Sequence, residues 1–285
     1  MSEFHVQGHR GARGLAPENT LPSFERAFDI GVSSVETDLF PSADGIPVLI
    51  HDPETAGELV GRLSASELRR RIVDRNPDPV RFPAQSAEVT PSAAEFCQQR
   101  GVPPFGVPSL TELFEFASFC ARDARKPAEQ RQRAGRVLFD LEIKRFPFRP
   151  ELFAADAQQT VVAVVNAVQA AGLSERTVIR SFDHRLVAVV RRLSPRIRTA
   201  VIIAGTAPID PARLALDVGA SIYCPDYQFV DAEVIDLCRG NGVMTIPWTV
   251  NDPAEWHRLR AFGVDGITTD FPDRLMTWLR ERPKG

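Results

Sequence analysis

His9, Arg10 and Gly11 stand almost at the start of the chain, and a second histidine, His51, follows the alternating carboxylates Glu36 and Asp38. Glu142 adds a third carboxylate in Asp140-Leu-Glu-Ile-Lys144, with Lys144 two residues further on. Phosphate chemistry needs such a set: proton carriers that work near neutral pH, fixed positive charge, and hard oxygen ligands for a divalent metal. Glu36 and Asp38 are two residues apart, so on a strand both side chains leave the same face and converge on one cation. Glu142 and Lys144 repeat that spacing. Three carboxylates without a cysteine partner favour Mg²⁺ or Ca²⁺ over zinc. A two-histidine zinc site is the chemical rival, and it would use up both proton carriers. Singly, each residue also has a structural explanation: a hydrogen-bonded histidine, an exposed strand face, a Glu142–Lys144 ion pair. Their joint order is what points to a site.

For residues so far apart in sequence to meet, the elements between them must bring them to one place. Short apolar runs read as strands over Val6–His9, Ser34–Phe40, Pro47–His51, Arg136–Ile143, Thr177–Ser181, Thr199–Ile203, Ser221–Cys224, Val243–Val250 and Gly266–Thr269. Helical patterns separate most of them, over Leu21–Ile30 behind an Asn19 or Thr20 cap, Glu151–Ala171 stopping at Gly172, and Asp183–Leu193 ending before Pro195. A helix begins near Ser109, and Asp231–Arg239, Asp252–Phe262 and Phe271–Arg280 continue the pattern. Alternating strand and helix predicts a parallel sheet, and about eight such units close a (β/α)8 TIM barrel. In that fold, residues at the carboxyl ends of the strands share one pocket, which would unite His9, Arg10, Glu36, Asp38, His51, Glu142 and Lys144.

Two stretches break the rhythm. Residues 52–107 are rich in proline, carry Arg69-Arg70-Arg71 and show no clear strand, so they read as an insertion in a single barrel domain of residues 1–285. Their place directly after His51 fits a substrate wall or lid, and equally a peripheral excursion with solvated arginines. Arg122 to Gly135 is polar and reads as an exposed extension.

The bulk properties bound the partners. With 285 residues, 44% hydrophobic, the chain is long enough for one large barrel. A net charge of −3 gives no long-range field to draw nucleic acid or an anionic membrane, so a bound anion must be held locally. No stretch is apolar for long enough to insert stably in a bilayer, and the first residues lack the basic and apolar regions of a signal peptide. Cys97, Cys120, Cys224 and Cys238 show no Cys-x-x-Cys spacing and read as buried reduced thiols in a cytoplasmic protein, although a removed signal peptide would leave the same sequence. Oligomeric state is not written in these features.

The chain resembles the glycerophosphodiester phosphodiesterases, metal-dependent (β/α)8 enzymes that split glycerophosphodiesters into glycerol 3-phosphate and an alcohol. The likeness starts at His9-Arg-Gly-Ala-Arg-Gly-Leu-Ala-Pro-Glu-Asn-Thr-Leu-Pro-Ser-Phe24 and runs through Val35-Glu-Thr-Asp-Leu39 and Pro47-Val-Leu-Ile-His-Asp52. It resumes at Val107-Pro-Ser-Leu-Thr-Glu112, Phe139-Asp-Leu-Glu-Ile-Lys144, Ser181-Phe182, Trp248-Thr-Val-Asn251 and Gly263-Val-Asp-Gly-Ile-Thr-Thr-Asp270. The resemblance implies His9 and His51 as the general acid and base, Glu36, Asp38 and Glu142 as ligands of one divalent ion, and Arg10 and Lys144 as holders of the phosphate. Trp248 reads as an apolar wall for the glycerol skeleton or as a core tryptophan, and Phe182 as core.

After His51-Asp52 the family's Arg-Thr-Thr stretch is replaced by Pro53-Glu-Thr-Ala-Gly-Glu-Leu-Val-Gly61, which leaves the preferred alcohol open. A lysophospholipase D or sphingomyelinase D-like phosphodiesterase is the nearest rival. A lyase forming a Schiff base through Lys144 would leave the carboxylates and histidines without a task, and a non-catalytic phosphate-binding barrel should lack a site residue, whereas none is missing.

Overall fold

The computed structural model describes residues 4–72, 78–153 and 156–281. Eight parallel strands form the barrel: β1 (His5–Gly8), β2 (Ser34–Pro41), β3 (Leu138–Ile143), β4 (Thr177–Ser181), β5 (Arg198–Ile203), β6 (Ile222–Pro225), β7 (Met244–Thr245) and β8 (Gly266–Thr269). They run in the order β7-β6-β5-β4-β3-β2-β1-β8. The remaining seam is closed by backbone bonds from Asp265 N–H to the Thr245 carbonyl, Thr268 N–H to Pro247 and Val250 N–H to Thr268. This is the (β/α)8 barrel that the alternation of elements predicts. The expected strand Val243–Val250 is paired in register only over Met244–Thr245, and beyond it the chain follows β6 through Ile246 and Trp248 N–H groups.

The helices α1 (Leu21–Ile30), α2 (Leu110–Arg122), α3 (Ala157–Ala170), α4 (His184–Leu193), α5 (Pro211–Leu216), α6 (Ala232–Gly240), α7 (Pro253–Phe262) and α8 (Pro272–Arg280) clothe the strands. Their starts are chemically marked. Thr20, Ser109, Asp156, Asp183, Asp210, Asp231 and Asp252 each accept a backbone N–H of the first turn. The expected helix from Glu151 begins only at Ala157, behind its Asp156 cap, and residues 154–155 of the expected range lie outside those described.

The pleat sorts the strand residues. On β2 and β3, Val35, Leu39, Phe139, Leu141 and Ile143 join Phe24, Phe28, Leu113, Phe116, Val161 and Val164 of the helices in the main core. The opposite faces of those strands carry Glu36, Asp38, Asp140 and Glu142 into the barrel, in the register Glu36 beside Asp140 and Asp38 beside Glu142. The far arc of the interior is apolar, built from Val178, Ala200, Ile202, Ile222, Cys224 and Ile246. One side of the barrel is therefore packed and the other is charged.

Pro47–Leu49 is not a barrel strand. It returns antiparallel along the end of β2, pairing Leu49 with Leu39 and Pro47 with Pro41, so the chain carries His51 back over the barrel mouth. Beyond it come a two-residue hairpin, Glu54–Thr55 with Glu58–Leu59, and the helices Ala65–Arg70 and Pro91–Arg100. Residues 73–77 of the expected 52–107 insertion lie outside those described. Arg69 is buried and structural: its Nε donates to Glu112 at 2.8 Å and its Nη1 to the Pro103 carbonyl at 2.5 Å. Residues 78–86 lie against the loop after β1: Phe82 is fully buried against Phe271, and Gln85 donates to the Arg13 carbonyl at 2.7 Å.

The segment Arg122 to Gly135 is mostly exposed, as expected, but it is regular and tied to the barrel. It forms a helix, Ala128–Arg136, and from its otherwise open surface the Lys126 side chain reaches Glu25 at 2.6 Å and Asp29 at 2.8 Å, both on α1. Glu25 also accepts the N–H groups of Ser92 and Ala93, so it caps Pro91–Arg100 from another element. Lys126→Met should cost about 3 kcal/mol of stability, because it strands a buried carboxylate. A urea unfolding midpoint unchanged by that substitution would show the ion pair to be inert.

Candidate active site

His9 lies one residue past β1, where its backbone N–H bonds the Thr269 carbonyl at 3.0 Å. Its Nδ1 sits 2.6 Å from Asp270 Oδ1, and its Nε2 is 3.8 Å from Glu36 Oε2. Asp270 is itself held by Asn251, whose side-chain amide donates to Oδ2 at 2.7 Å. Burial would raise the Asp270 carboxyl, but His9, Arg13 and the Asn251 hydrogen bond overcome it and hold it well below the usual carboxylate range. With Asp270 ionised, Nδ1 of His9 carries the donated proton, and Nε2 is left facing the carboxylates of β2.

Arg10 turns the chain with φ +50°, a left-handed conformation unusual for a side-chain-bearing residue. The next residue, Gly11, has φ +86°, and a Cβ there would lie 2.5 Å from Ser23 Oγ. That turn aims the Arg10 N–H at Glu36 Oε2, 3.0 Å away, and its guanidinium at Glu18 (2.8 Å) and Asp38 (3.0 Å). Asn19, also in the left-handed region, donates to Asp38 Oδ2 at 3.0 Å, while Thr20 takes the cap of α1.

Glu36, Asp38 and Glu142 are all buried, and each offers an oxygen within 4.8 Å of the others. Among the described residues this is the one such cluster of three or more potential ligands. Burial and then the Asp38 charge push Glu36 above its ordinary value. Asp38 goes the other way: burial raises it, but Lys144, Arg10 and His51 together bring it well below. Lys144 pairs with Asp38 at 2.8 Å and with Glu142 at 2.5 Å. An all-carboxylate donor set of this kind fits a hard divalent cation.

His51 is more open, with 36% of its side chain exposed, and its Nδ1 is 2.8 Å from Asp52 Oδ1. Ile50 N–H bonds the Asp38 carbonyl at 3.1 Å, so the arm that carries His51 is stitched to the strand that carries Asp38. Six of the seven residues expected to meet, His9, Arg10, Glu36, Asp38, Glu142 and Lys144, form one contact network, and His51 stands over it.

The profile of the Glycerophosphoryl diester phosphodiesterase family matches residues 9–274, which span every one of these groups. The chain belongs to that family. As a family member it is a phosphoric diester hydrolase with glycerophosphodiesters as its substrate class. It is 25% identical over 277 residues to a glycerophosphodiester phosphodiesterase of Caldanaerobacter subterraneus subsp. tengcongensis, with 97% of this chain and 98% of the relative covered. A solved structure from Silicibacter pomeroyi DSS-3, assigned to the glycerophosphoryl diester phosphodiesterases, superposes with a TM-score of 0.77 at 28% identity, covering 98% of this chain and 94% of that one. An Oleispira antarctica phosphodiesterase, solved with its product sn-glycerol-3-phosphate, shares the fold with a TM-score of 0.70 at 20% identity, covering 97% and 96%.

In this family member, Lys144 is unsuited to a Schiff base. Burial would lower it, but Asp38 and Glu142 outweigh that and keep the ammonium protonated, without the lone pair that such chemistry needs. Trp248 stands on the opposite arc, its indole N–H donated to the Cys224 carbonyl at 3.1 Å. Phe182 is not core as expected: it is 42% exposed and meets Trp248 edge-on at 5.8 Å between ring centres. It follows the last residue of β4, where the pleat no longer directs it into either core.

Two groups in the network carry no forecast from the sequence. Asp270 is separated from His9 by 261 positions, and its signals are its place just past the end of β8 and at the close of the family-like run from Gly263. Arg180 lies in the run Thr-Val-Ile-Arg-Ser of β4 and is fully buried, 3.1 Å from Glu36 Oε1. The four cysteines are free and buried, as their spacing predicts.

Proposed function

We propose that the chain hydrolyses glycerophosphodiesters to glycerol 3-phosphate and an alcohol with one divalent ion, Mg²⁺ or Ca²⁺, held by Glu36, Asp38 and Glu142. The observation that carries this reading is the convergence of those three carboxylates with two histidines that each have a carboxylate behind Nδ1. When bound, such an ion supplies Lewis-acid stabilisation of charge on the phosphoryl oxygens.

The side chains do the rest. A phosphodiester is anionic and repels nucleophiles, so Arg10 and Lys144 offset the negative charge that grows as the phosphorus is attacked. Both are buried to 8% exposure, where a charge acts through little intervening water. His9 and His51 divide proton removal from the attacking hydroxyl and proton delivery to the departing oxygen. Asp270 fixes the tautomer and angle of His9, and Asp52 does the same for His51. Trp248, with Phe182 edge-on beside it, offers an apolar wall to the glycerol carbons. We take the barrel to be a single domain, working in the cytoplasm, where four free thiols stay reduced. No helix among the described residues is long and apolar enough to cross a membrane, which accords with a small-molecule diester as the partner.

Asp270→Asn should lower kcat by about 10² to 10⁴-fold, because the amide favours the wrong histidine tautomer. Its stability cost has a defined pH window. The carboxyl is depressed in the folded state, so its contribution is complete above an unfolded pKa near ~4 and fades as pH falls through and below that value. Denaturation of wild type and D270N from pH 7 to pH 2 checks this, the expected gap closing in acid.

A lysophospholipid substrate is the second reading, and one feature favours it. A cavity of about 320 Å³ beside Lys144 is lined by Phe146, Pro147, Pro150 and Phe153, and the neighbouring Phe148 is 80% exposed. Turnover of glycerophosphocholine, glycerophosphoethanolamine and lysophosphatidylcholine by the purified enzyme separates the two. The glycerophosphodiesters should have the higher kcat/KM, and a preference for the lysolipid would transfer the assignment to it.

A further inference from the structure

Arg180 is a full charge in the middle of a strand whose other residues, Thr177, Val178, Ile179 and Ser181, bring none, and its side chain is 2% exposed. A buried guanidinium is costly unless every side is answered. Here the answers come from three strands. Nη1 donates to Gln7 Oε1 at 3.1 Å and Nη2 pairs with Glu36 Oε1 at 3.1 Å, whereas Nε, 3.3 Å from Asp140 Oδ1, pairs with it by charge and not by a hydrogen bond. Gln7 is fixed in turn, because its amide donates to Asp140 Oδ2 at 2.7 Å and to Ser34 Oγ at 3.0 Å, and its carbonyl accepts from Thr268 at 2.7 Å. Beyond the guanidinium lies the apolar arc of the interior, where Cys224 Sγ is 3.9 Å from Nη1.

The consequence falls on Glu36. Arg180 holds Oε1 from the barrel floor, and Arg10 N–H holds Oε2 from the mouth at 3.0 Å. A positive partner on each oxygen restrains rotation of the carboxylate, which has one oxygen within 4.8 Å of those of Asp38 and Glu142. Asp140 balances the guanidinium, so the floor adds no net charge to the cluster above it.

We propose that Arg180, braced by Asp140 and Gln7, is a positioning residue that orients Glu36 for metal binding. This rests on the metal-site reading above and extends it to a layer below the ligands. A role through charge alone predicts the opposite sign: removing a cation near a metal site should tighten metal binding, whereas losing orientation should weaken it.

The test is Mn²⁺ titration calorimetry on the substrate-free protein, with kcat and KM measured at saturating Mn²⁺. Arg180→Gln combined with Asp140→Asn removes one positive and one negative charge together and keeps a hydrogen-bonding group at each position. Mn²⁺ affinity in the double variant should fall about 10 to 100-fold, and kcat should fall with KM little changed. Arg180→Lys keeps the charge but cannot reach three acceptors at once, and it should also lose affinity, to a smaller degree. If the double variant fails to fold, as judged by circular dichroism, Arg180→Lys decides. Wild-type or tighter Mn²⁺ affinity in the folded variant overturns the role of Arg180. Absence of Mn²⁺ binding by the wild type would instead overturn the metal-site reading itself.

Discussion

His51→Ala should lower kcat by about 10² to 10⁴-fold while KM and metal affinity change little. The residue is suited to such a clean result. It sits on an arm outside the barrel strands with 36% of its side chain exposed, so its removal opens no buried cavity. It is not among the three clustered carboxylates, and its Nδ1 contact is to Asp52, so the metal ligands stay as they are. The same variant sorts the division of labour with His9. A glycerophosphodiester whose leaving group is p-nitrophenolate needs no proton on departure. If His51 is the acid, that substrate restores most of the lost rate, and if it is the base, the loss persists. Wild-type turnover of both substrates by the variant would remove His51 from the mechanism.

Glu142→Gln carries the second large effect. Lys144 is matched by two carboxylates, Asp38 at 2.8 Å and Glu142 at 2.5 Å. Neutralising Glu142 leaves Lys144 with Asp38 as its one carboxylate partner, and it replaces one of three charged oxygen donors by a neutral amide oxygen that a hard cation holds more weakly. Divalent-ion affinity should therefore fall steeply, and turnover at low metal concentration by about 10² to 10³-fold, the scale of losing one preorganised electrostatic partner. Raising the metal concentration should recover part of the rate. Equal calorimetric affinity in wild type and E142Q would contradict the role given to the Glu142 carboxylate.

Much of this site is legible from spacing. Glu36 and Asp38, like Asp140 and Glu142, are separated by two, and the pleat alone brings all four to the barrel interior. Helix caps such as Asp183 and Asp252 also announce themselves, because their chemistry is local. What the sequence hides is set by distant partners. The polar run from Arg122 is mostly solvated, as it reads, but nothing local shows that the Lys126 side chain within it pairs with Glu25 and Asp29, about a hundred residues earlier. Asp270 ends the family-like run from Gly263 without a role of its own, until barrel closure sets β8 against β1 and puts it on His9. Arg180 lies in a short strand with no periodic signal, and its role depends on three strands meeting in the interior. Phe182 misleads for a related reason: an aromatic after a buried strand suggests core, but the strand ends one residue too soon.

Phosphorus NMR of glycerophosphocholine mixed with the purified enzyme is the most direct measurement of the central claim, run with Mg²⁺, Ca²⁺ or Mn²⁺ and again after EDTA. The account predicts conversion of the diester resonance to that of glycerol 3-phosphate with at least one metal, and no conversion after chelation. Phosphocholine as the product, full activity after chelation, or an unchanged diester with every metal would contradict it.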